Sequence, residues 1–208
     1  DIPRAVQACH RCLKIYRRHR LWDKVTAALL NIGKLLEDSS DYAQAKRVYT
    51  GCLKMAQKRY DLLHESIVHL NLSEILLTEG DLQGCQSMCQ EARRGFEEID
   101  HRVGIADALR ILGCVSALEE KGEFAVIYFE KSITLNQETG YRLGEAEACR
   151  DYARFLHTGL DPNRSLEMLA RAREIFSTLD VEKEVERIDS IVEKARTISG
   201  PAAEQNIC

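Results

Sequence analysis

The sequence predicts an all-α protein, a solenoid of about ten helices arranged as stacked helix-turn-helix repeats. Two features of its composition favour helices over strands. The 208 residues include only three prolines and twelve glycines. Of all residues, 45% are hydrophobic, only 6% are aromatic and 30% are charged, a balance that suits helices of Leu, Ala, Glu, Lys and Arg. The third feature is an internal period of forty residues, which is the sequence signature of a repeat architecture.

The forty-residue period is visible in columns of residues that share a size. Gly33, Ser73, Gly113 and Ala153 form a small column, and a large residue precedes each of them. Small side chains allow two helix backbones to approach, while large residues at spacings of three and four form the apolar stripe of an amphipathic helix. Three further columns keep the same spacing: Ala45, Cys85, Ala125 and Ser165; Tyr49, Cys89, Phe129 and Leu169; and Cys52, Ala92, Ser132 and Ala172.

These columns predict the elements in chain order. Residues 1–20 are predicted to be the second helix of a partial repeat, because Ala5, Cys9 and Cys12 occupy second-helix columns. Four repeats are predicted at 21–60, 61–100, 101–140 and 141–180, each a helix, a tight turn and a second helix, with a shorter junction before the next repeat. Turn-forming residues at 38–41, 79–81, 121–123 and 159–163 separate the two helices of each repeat.

A capping helix is predicted at 181–199, with Val185, Ile188, Val192 and Ala195 on one face. Repeat arrays need such a cap, because the last repeat otherwise exposes its apolar side. The segment 200–208 is expected to be a disordered tail.

The columns resemble the pattern of the tetratricopeptide repeat (TPR) family, best at Gly33, Ala45 and Tyr49 and at Gly113, Ala125, Phe129 and Ser132. The period is forty rather than about thirty-four residues, and the proline that usually closes the second helix is absent, so the resemblance is to the longer-helix variant. It covers residues 3–180. It implies a right-handed superhelix and a role in protein interaction, as in regulatory and signalling proteins and peptide-binding adaptors.

Charge and composition exclude several classes of partner. The net charge of −4 argues against a nucleic-acid binder. The basic surplus within residues 1–20 is compatible with a nucleic-acid or membrane patch, although the solvated C-terminal end of a helix explains it better. No apolar run is long enough to span a membrane, and the N-terminal residues lack the apolar core of a signal peptide. We therefore expect a soluble fragment of a longer protein that associates with neither nucleic acid nor membrane.

Most of the eight cysteines fall in packing columns, which predicts small buried residues and reduced thiols, and hence a cytoplasmic protein. Cys9 and Cys12 form a Cys-x-x-Cys motif, but no second pair completes a zinc site, and a redox role would require an abnormally reactive thiol. His64 and His69 are five residues apart, so a helix does not bring them to one face as metal ligands. We expect no cofactor, no metal and no enzymatic activity.

The resemblance places the first helix of each pair on the concave side, where peptides bind. Asn31 and Asn71, one period apart, are candidates to clamp a peptide backbone. Arg110, Arg150 and Arg154 form a basic cluster suited to an acidic ligand, against which Asp107, Glu147 and Asp151 stand as internal partners. The carboxylate-clamp pattern of chaperone-binding relatives is absent. The predicted groove residues are Leu30, Asn31, Lys34, Leu70, Asn71, Glu74, Arg110, Arg150 and Arg154.

The predicted function is a non-catalytic interaction module of a larger regulatory or signalling protein, which binds a peptide or a partner helix in its concave groove. The alternative is a domain for oligomerisation or intramolecular regulation that packs on a second copy or on an attached effector domain. Apolar groove residues such as Leu30, Leu70 and Leu77 are compatible with both.

Overall fold

The computed structural model describes residues 2–157 and 161–199, with side chains at 4–157 and 161–193, and every regular element in these ranges is an α-helix. The segment 200–208, predicted as a disordered tail, lies outside the described residues, as does the side chain of Ala195. The helices are α1 (Ile2–Arg18), α2 (Trp22–Asp38), α3 (Tyr42–Arg59), α4 (Leu62–Glu79), α5 (Leu82–Glu98), α6 (Arg102–Leu118), α7 (Gly122–Thr139), α8 (Arg142–His157), α9 (Pro162–Thr178) and α10 (Glu182–Ser199).

The described turns share one design, in which a left-handed residue follows one helix and, at most turns, a polar residue begins the next. The left-handed residues recur at intervals of twenty: Arg20, Ser40, Tyr60, Gly80, Asp100, Glu120, Gly140 and Asp180. Asp61 and Asp81 accept a hydrogen bond from the backbone N–H three residues later, which caps α4 and α5. The prediction of a shorter junction between repeats is therefore wrong, because turns within and between repeats have the same construction.

The helices pack as antiparallel pairs stacked in one direction. Contacts are most extensive within α2 and α3, α4 and α5, α6 and α7, and α8 and α9, while α1 packs on α2 and α10 packs on α9. Successive first helices, α2, α4, α6 and α8, also contact one another. Because elements on the inner radius of a curved stack lie closer together, these four helices form the concave side. The molecule is an α-solenoid, as predicted.

Packing between the helices of a pair follows a rule of reciprocal size. A Cβ atom on Gly33 would collide with the ring of Tyr49, and one on Gly113 would lie 2.9 Å from Phe129. In the other two repeats the facing residue of the second helix, Cys89 or Leu169, is smaller than an aromatic ring. Ser73 and Ala153 take the place of glycine in the small column of these repeats. The small and large columns therefore compensate each other, and in the four full repeats all of the residues in the second-helix columns are buried.

The last helix, α10, packs its apolar side against α9. Ile188 is fully buried and packs with Val185 and Val192 against Ile175 and Phe176 of α9. In the part of the chain that the structure describes, no helix has the length and apolar character needed to cross a bilayer.

Candidate functional site

Some of the predicted groove residues are buried in the structure, and others are accessible on the concave side. Leu30 and Leu70 retain only 9% and 8% of their accessible surface and belong to the core between helix pairs. Their prediction as exposed apolar groove residues is therefore wrong, because successive first helices contact each other through these positions. Leu77 is half-buried and does reach the concave surface.

Asn31 is exposed and Asn71 is half-buried on the concave side. Among the described residues, no hydrogen-bond partner is recorded for either amide, so both keep their donors and acceptors for other groups. Their role as a backbone clamp stays a prediction.

Charged side chains form a continuous chain of ion pairs along the concave side, here called the charge ladder. Lys34 Nζ lies 3.1 Å from Glu74 Oε2, and Arg110 Nη2 lies 2.5 Å from the other oxygen of Glu74. The second amino group of Arg110, Nη1, lies 2.9 Å from Asp151 Oδ2. One arginine of α6 thus joins α4 to α8.

The ladder continues to the end of the array through Arg150. Its Nε lies 3.0 Å from Asp151 Oδ1, and its Nη1 lies 2.8 Å from Glu184 Oε2 on α10. The complete ladder consists of Lys34, Glu74, Arg110, Asp151, Arg150 and Glu184.

The ladder neutralises its own charges. Burial by itself would raise the pKa of Glu74 and of Asp151, but the guanidinium of Arg110 holds both below their usual range. Glu74 also raises the pKa of Lys34, although burial acts against it. The predicted basic cluster for an acidic ligand is therefore not available at Arg110 and Arg150, whose partners are the protein's own carboxylates.

Arg154 differs from the other cations of this surface. Its side chain is 71% exposed, and its recorded contact is a long one, 3.9 Å from Nη1 to Asp151 Oδ1, a carboxylate already held by two closer arginines. Arg154 therefore keeps its donors free for a ligand.

A buried carboxyl lies beside the ladder on α6. Burial raises the pKa of Asp107 to about 7, against the opposing effect of Arg110 and with a further rise from Glu147. In the described part of the chain, Oδ1 of Asp107 and Nε of Arg110 are buried and have no hydrogen-bond partner.

A cavity of about 770 Å³ opens at the C-terminal ends of α4, α6 and α8. Its lining is mainly apolar with a few polar groups. The apolar residues are Leu77, Ala117, Leu118, Phe129 and Phe155, and the polar ones include Cys114, Glu120, Asp151 and Arg154. Two small residues of α6, Cys114 and Ala117, line it, and Cys114 occupies the column in which the other repeats carry Lys34, Glu74 and Arg154.

Most of the described cysteines are thiols with raised pKa values. Burial raises the pKa of the Cys52, Cys85, Cys114 and Cys149 thiols to about 12, so they stay protonated near neutral pH. Cys9 is half-buried, but Cys12 is exposed, so the interpretation of Cys12 as a packing residue is wrong. In the same part of the chain, no three His, Cys, Asp or Glu groups are placed to hold a metal ion.

The cavity was not predicted from sequence, and of the ladder only the pairing of the arginine cluster with internal carboxylates such as Asp151 was considered. The small residue Cys114 in an otherwise charged column was the available signal for the cavity. The opposite charges at Lys34 and Glu74, one period apart, were the signal for the ladder.

No protein-family model matches the chain, and no curated protein matches its sequence. Solved structures match its fold. The crystal structure of BtubC (BKLC) from P. vanneervenii aligns over 100% of this chain and 96% of its own, with a TM-score of 0.66 and 14% sequence identity. A Rap protein complexed with Competence and Sporulation Factor aligns over 92% of this chain and 58% of its own, with a TM-score of 0.68 and 17% identity. The chain therefore has a helical-repeat fold similar to these two, and its ten described helices fit a TPR-like architecture.

Proposed function

We propose that this chain is a non-catalytic protein-interaction module that binds a peptide or a partner helix along its concave surface. The single observation that carries the proposal is the cavity formed by α4, α6, α7 and α8, since an apolar hollow with a few polar groups at its rim is the usual form of a ligand site. The half-buried amide of Asn71 lies on the same side of the array.

Two further observations support this function. The Rap protein with a similar fold is complexed with Competence and Sporulation Factor, so an array of this shape can hold a bound partner. The buried thiols stay protonated near neutral pH, and most carboxylates of the concave side are held by arginine or lysine, which leaves little for catalysis. We propose a regulatory or signalling role in the cytoplasm for the protein that carries this module, because the described cysteines are free thiols.

Selection from a random peptide library displayed on phage tests the proposal. We expect the wild-type chain to recover peptides that bind when synthesised, and Asn31→Ala combined with Asn71→Ala to weaken them at least several-fold. Asn163→Ala, on the exposed start of α9, is the matched control. Failure to recover any binding peptide contradicts the proposal. Light scattering then tests the alternative, since a mass that increases with concentration indicates self-association.

A further inference from the structure

We propose that the cavity receives one large apolar side chain of the bound peptide, leucine or phenylalanine, while an acidic residue beside it pairs with Arg154. This inference rests on the proposed function and specifies its ligand. The geometry points to a single apolar anchor with a single charge contact.

The apolar half of the proposal follows from the walls of the cavity. A volume of about 770 Å³ is ample for a leucine or phenylalanine side chain together with the neighbouring atoms of the peptide. Leu118 is 61% exposed at its edge, and Leu77 and Phe155 are half-buried in it. An apolar side chain inserted between them removes its own surface and theirs from water, which is the main source of affinity that this surface offers.

The charged half of the proposal follows from Arg154, a cation of this surface that the charge ladder does not include. Arg110 and Arg150 are already paired with Asp151, Glu74 and Glu184, so a ligand gains little from them. Arg154 stands at the rim of the same cavity with its donors exposed. A carboxylate placed there gains a charge-assisted pair without displacing a native one.

The same rim argues against a strongly acidic ligand. Glu120 and Asp151 also line the cavity. The charge of Asp151 is compensated by Arg110 and Arg150, so one acid beside Arg154 is tolerated, whereas a run of acidic residues would also meet Glu120. Because one ion pair is formed, the affinity is expected to depend only weakly on salt concentration.

The peptides recovered from the phage library test the inference. We expect them to share a leucine or phenylalanine within two positions of an aspartate or glutamate. Leu118→Ala and Arg154→Glu should each weaken the synthetic peptide about tenfold, as expected for a loss of about 1.4 kcal/mol. Replacing the peptide's acidic residue by alanine should weaken binding to the wild type but not to Arg154→Glu.

Matched controls are present in the same chain. Leu166→Ala on α9 removes an exposed leucine that does not line the cavity, and Arg94→Glu on α5 reverses an exposed arginine. Neither should change affinity. Circular dichroism of all four variants should be unchanged, because the substituted side chains are exposed.

Two results would overturn the inference in distinguishable ways. If peptides bind without the apolar and acidic signature, or bind Leu118→Ala and Arg154→Glu as tightly as the wild type, the inference is wrong while the proposed function stands. If no peptide binds, both are wrong.

Discussion

Asn136 is the polar side chain that fits its surroundings least well. It is 1% exposed, and neither its amide nitrogen nor its amide oxygen has a hydrogen-bond partner in the described part of the chain. The equivalent positions of the other repeats are Ala56, Phe96 and Phe176, all buried and apolar. A buried amide without partners costs its full desolvation energy.

Replacing Asn136 by leucine, which has a similar size and no polar atoms, should stabilise the protein. We expect the free energy of unfolding in urea to rise by about 1–2 kcal/mol, the usual cost of one unpaired buried polar group. Asn31→Leu, at an exposed amide, is the control and should change stability little. A loss of stability in Asn136→Leu would show that the amide is bonded in solution.

Asp107 should make stability depend on pH in an unusual direction. Burial raises its pKa to about 7 from an ordinary value of 3.8, with Glu147 and Glu74 adding to the rise and Arg110 and Lys34 opposing it. The folded protein therefore binds more protons than the unfolded chain between these values, and the contribution of Asp107 to stability decreases as pH rises from about 4 to 7.

The variant Asp107→Asn should remove this dependence. We expect it to be more stable than the wild type at pH 8, by up to about 4 kcal/mol, and to approach the wild type at pH 4. Urea unfolding across this pH range measures the difference. Asp38→Asn, at an exposed carboxyl near the end of α2, should show no such trend. Parallel curves for Asp107→Asn and the wild type would contradict the pH argument.

At the scale of single residues, sequence periodicity identified which positions of a first helix are large but not what each position contacts. Leu30 and Leu70 directly precede Asn31 and Asn71 in sequence, so each leucine points about 100° around the helix from its asparagine. Whether such a residue faces the groove or the next first helix depends on the angle between repeats, which no residue pattern within one repeat encodes. The leucines were therefore predicted as groove residues and are in the core.

The helix pair of the first full repeat depends on the close contact of Gly33 with the ring of Tyr49. Gly33→Ala should destabilise the protein by about 2 kcal/mol, because the added methyl overpacks this contact. In a Tyr49→Leu background, which recreates the Ala153 and Leu169 combination, the same substitution should cost at least about 1 kcal/mol less.

A double-mutant cycle in urea measures this coupling. Gly51→Ala is the control, since a Cβ atom there meets nothing within 4 Å and alanine favours a helix. Additive effects of the Gly33 and Tyr49 substitutions would contradict reciprocal packing.

Tyr60 is a second feature that belongs to the scale of the element. It is 95% exposed, and it holds φ at 55°, the left-handed conformation that Gly80 and Gly140 adopt at the equivalent turns. A side chain raises the energy of this conformation, and glycine does not. Tyr60→Gly should therefore increase the free energy of unfolding by about 0.5 kcal/mol and raise the melting temperature slightly. Gly80→Tyr should decrease the free energy of unfolding by about 1 kcal/mol and lower the melting temperature. Calorimetry measures both, and a loss in Tyr60→Gly would contradict the conformational explanation.

At this scale most of the structure was predictable. The columns are local, because each depends on residues of one helix pair, and their residues are buried as expected. The equal turns were missed because Arg20, Asp100 and Glu120 adopt the left-handed conformation without being glycine or asparagine. Turn signals in the sequence therefore identified only some of the junctions.

At the scale of the whole molecule, Arg110 of α6 connects three successive first helices. It contacts Glu74 on α4 and Asp151 on α8, and it is buried. Its replacement by alanine would remove the cation between these two carboxylates and leave Glu74 paired with Lys34 and Asp151 with Arg150 as its close partner. We expect Arg110→Ala to destabilise the protein by about 3 kcal/mol in urea unfolding, as is usual when one partner of a buried ion pair is removed.

Arg154→Ala is the control for this prediction. Arg154 lies on the same surface but is 71% exposed, so its loss should change stability by less than about 0.5 kcal/mol. An equal effect of the two substitutions would show that the ladder contributes nothing beyond surface charge.

Relations between repeats could not be predicted at this scale. Arg110 and Asp151 are separated by a full repeat and contribute to one network only because α6 and α8 pack side by side. The packing within each repeat could be predicted from its own sequence, whereas the distances between residues of different repeats depend on the curvature of the array.

A left-handed residue recurs at every twentieth position of the described chain, so each helix together with its turn takes twenty residues. Gain or loss of forty residues preserves every column and returns the chain to the same side of the solenoid. A shift of twenty exchanges inner and outer helices and would turn the lining of the groove outward. Such an array can therefore gain or lose residues only as whole helix pairs. Each added or deleted pair changes the length of the concave surface and leaves the contacts within the other pairs unchanged.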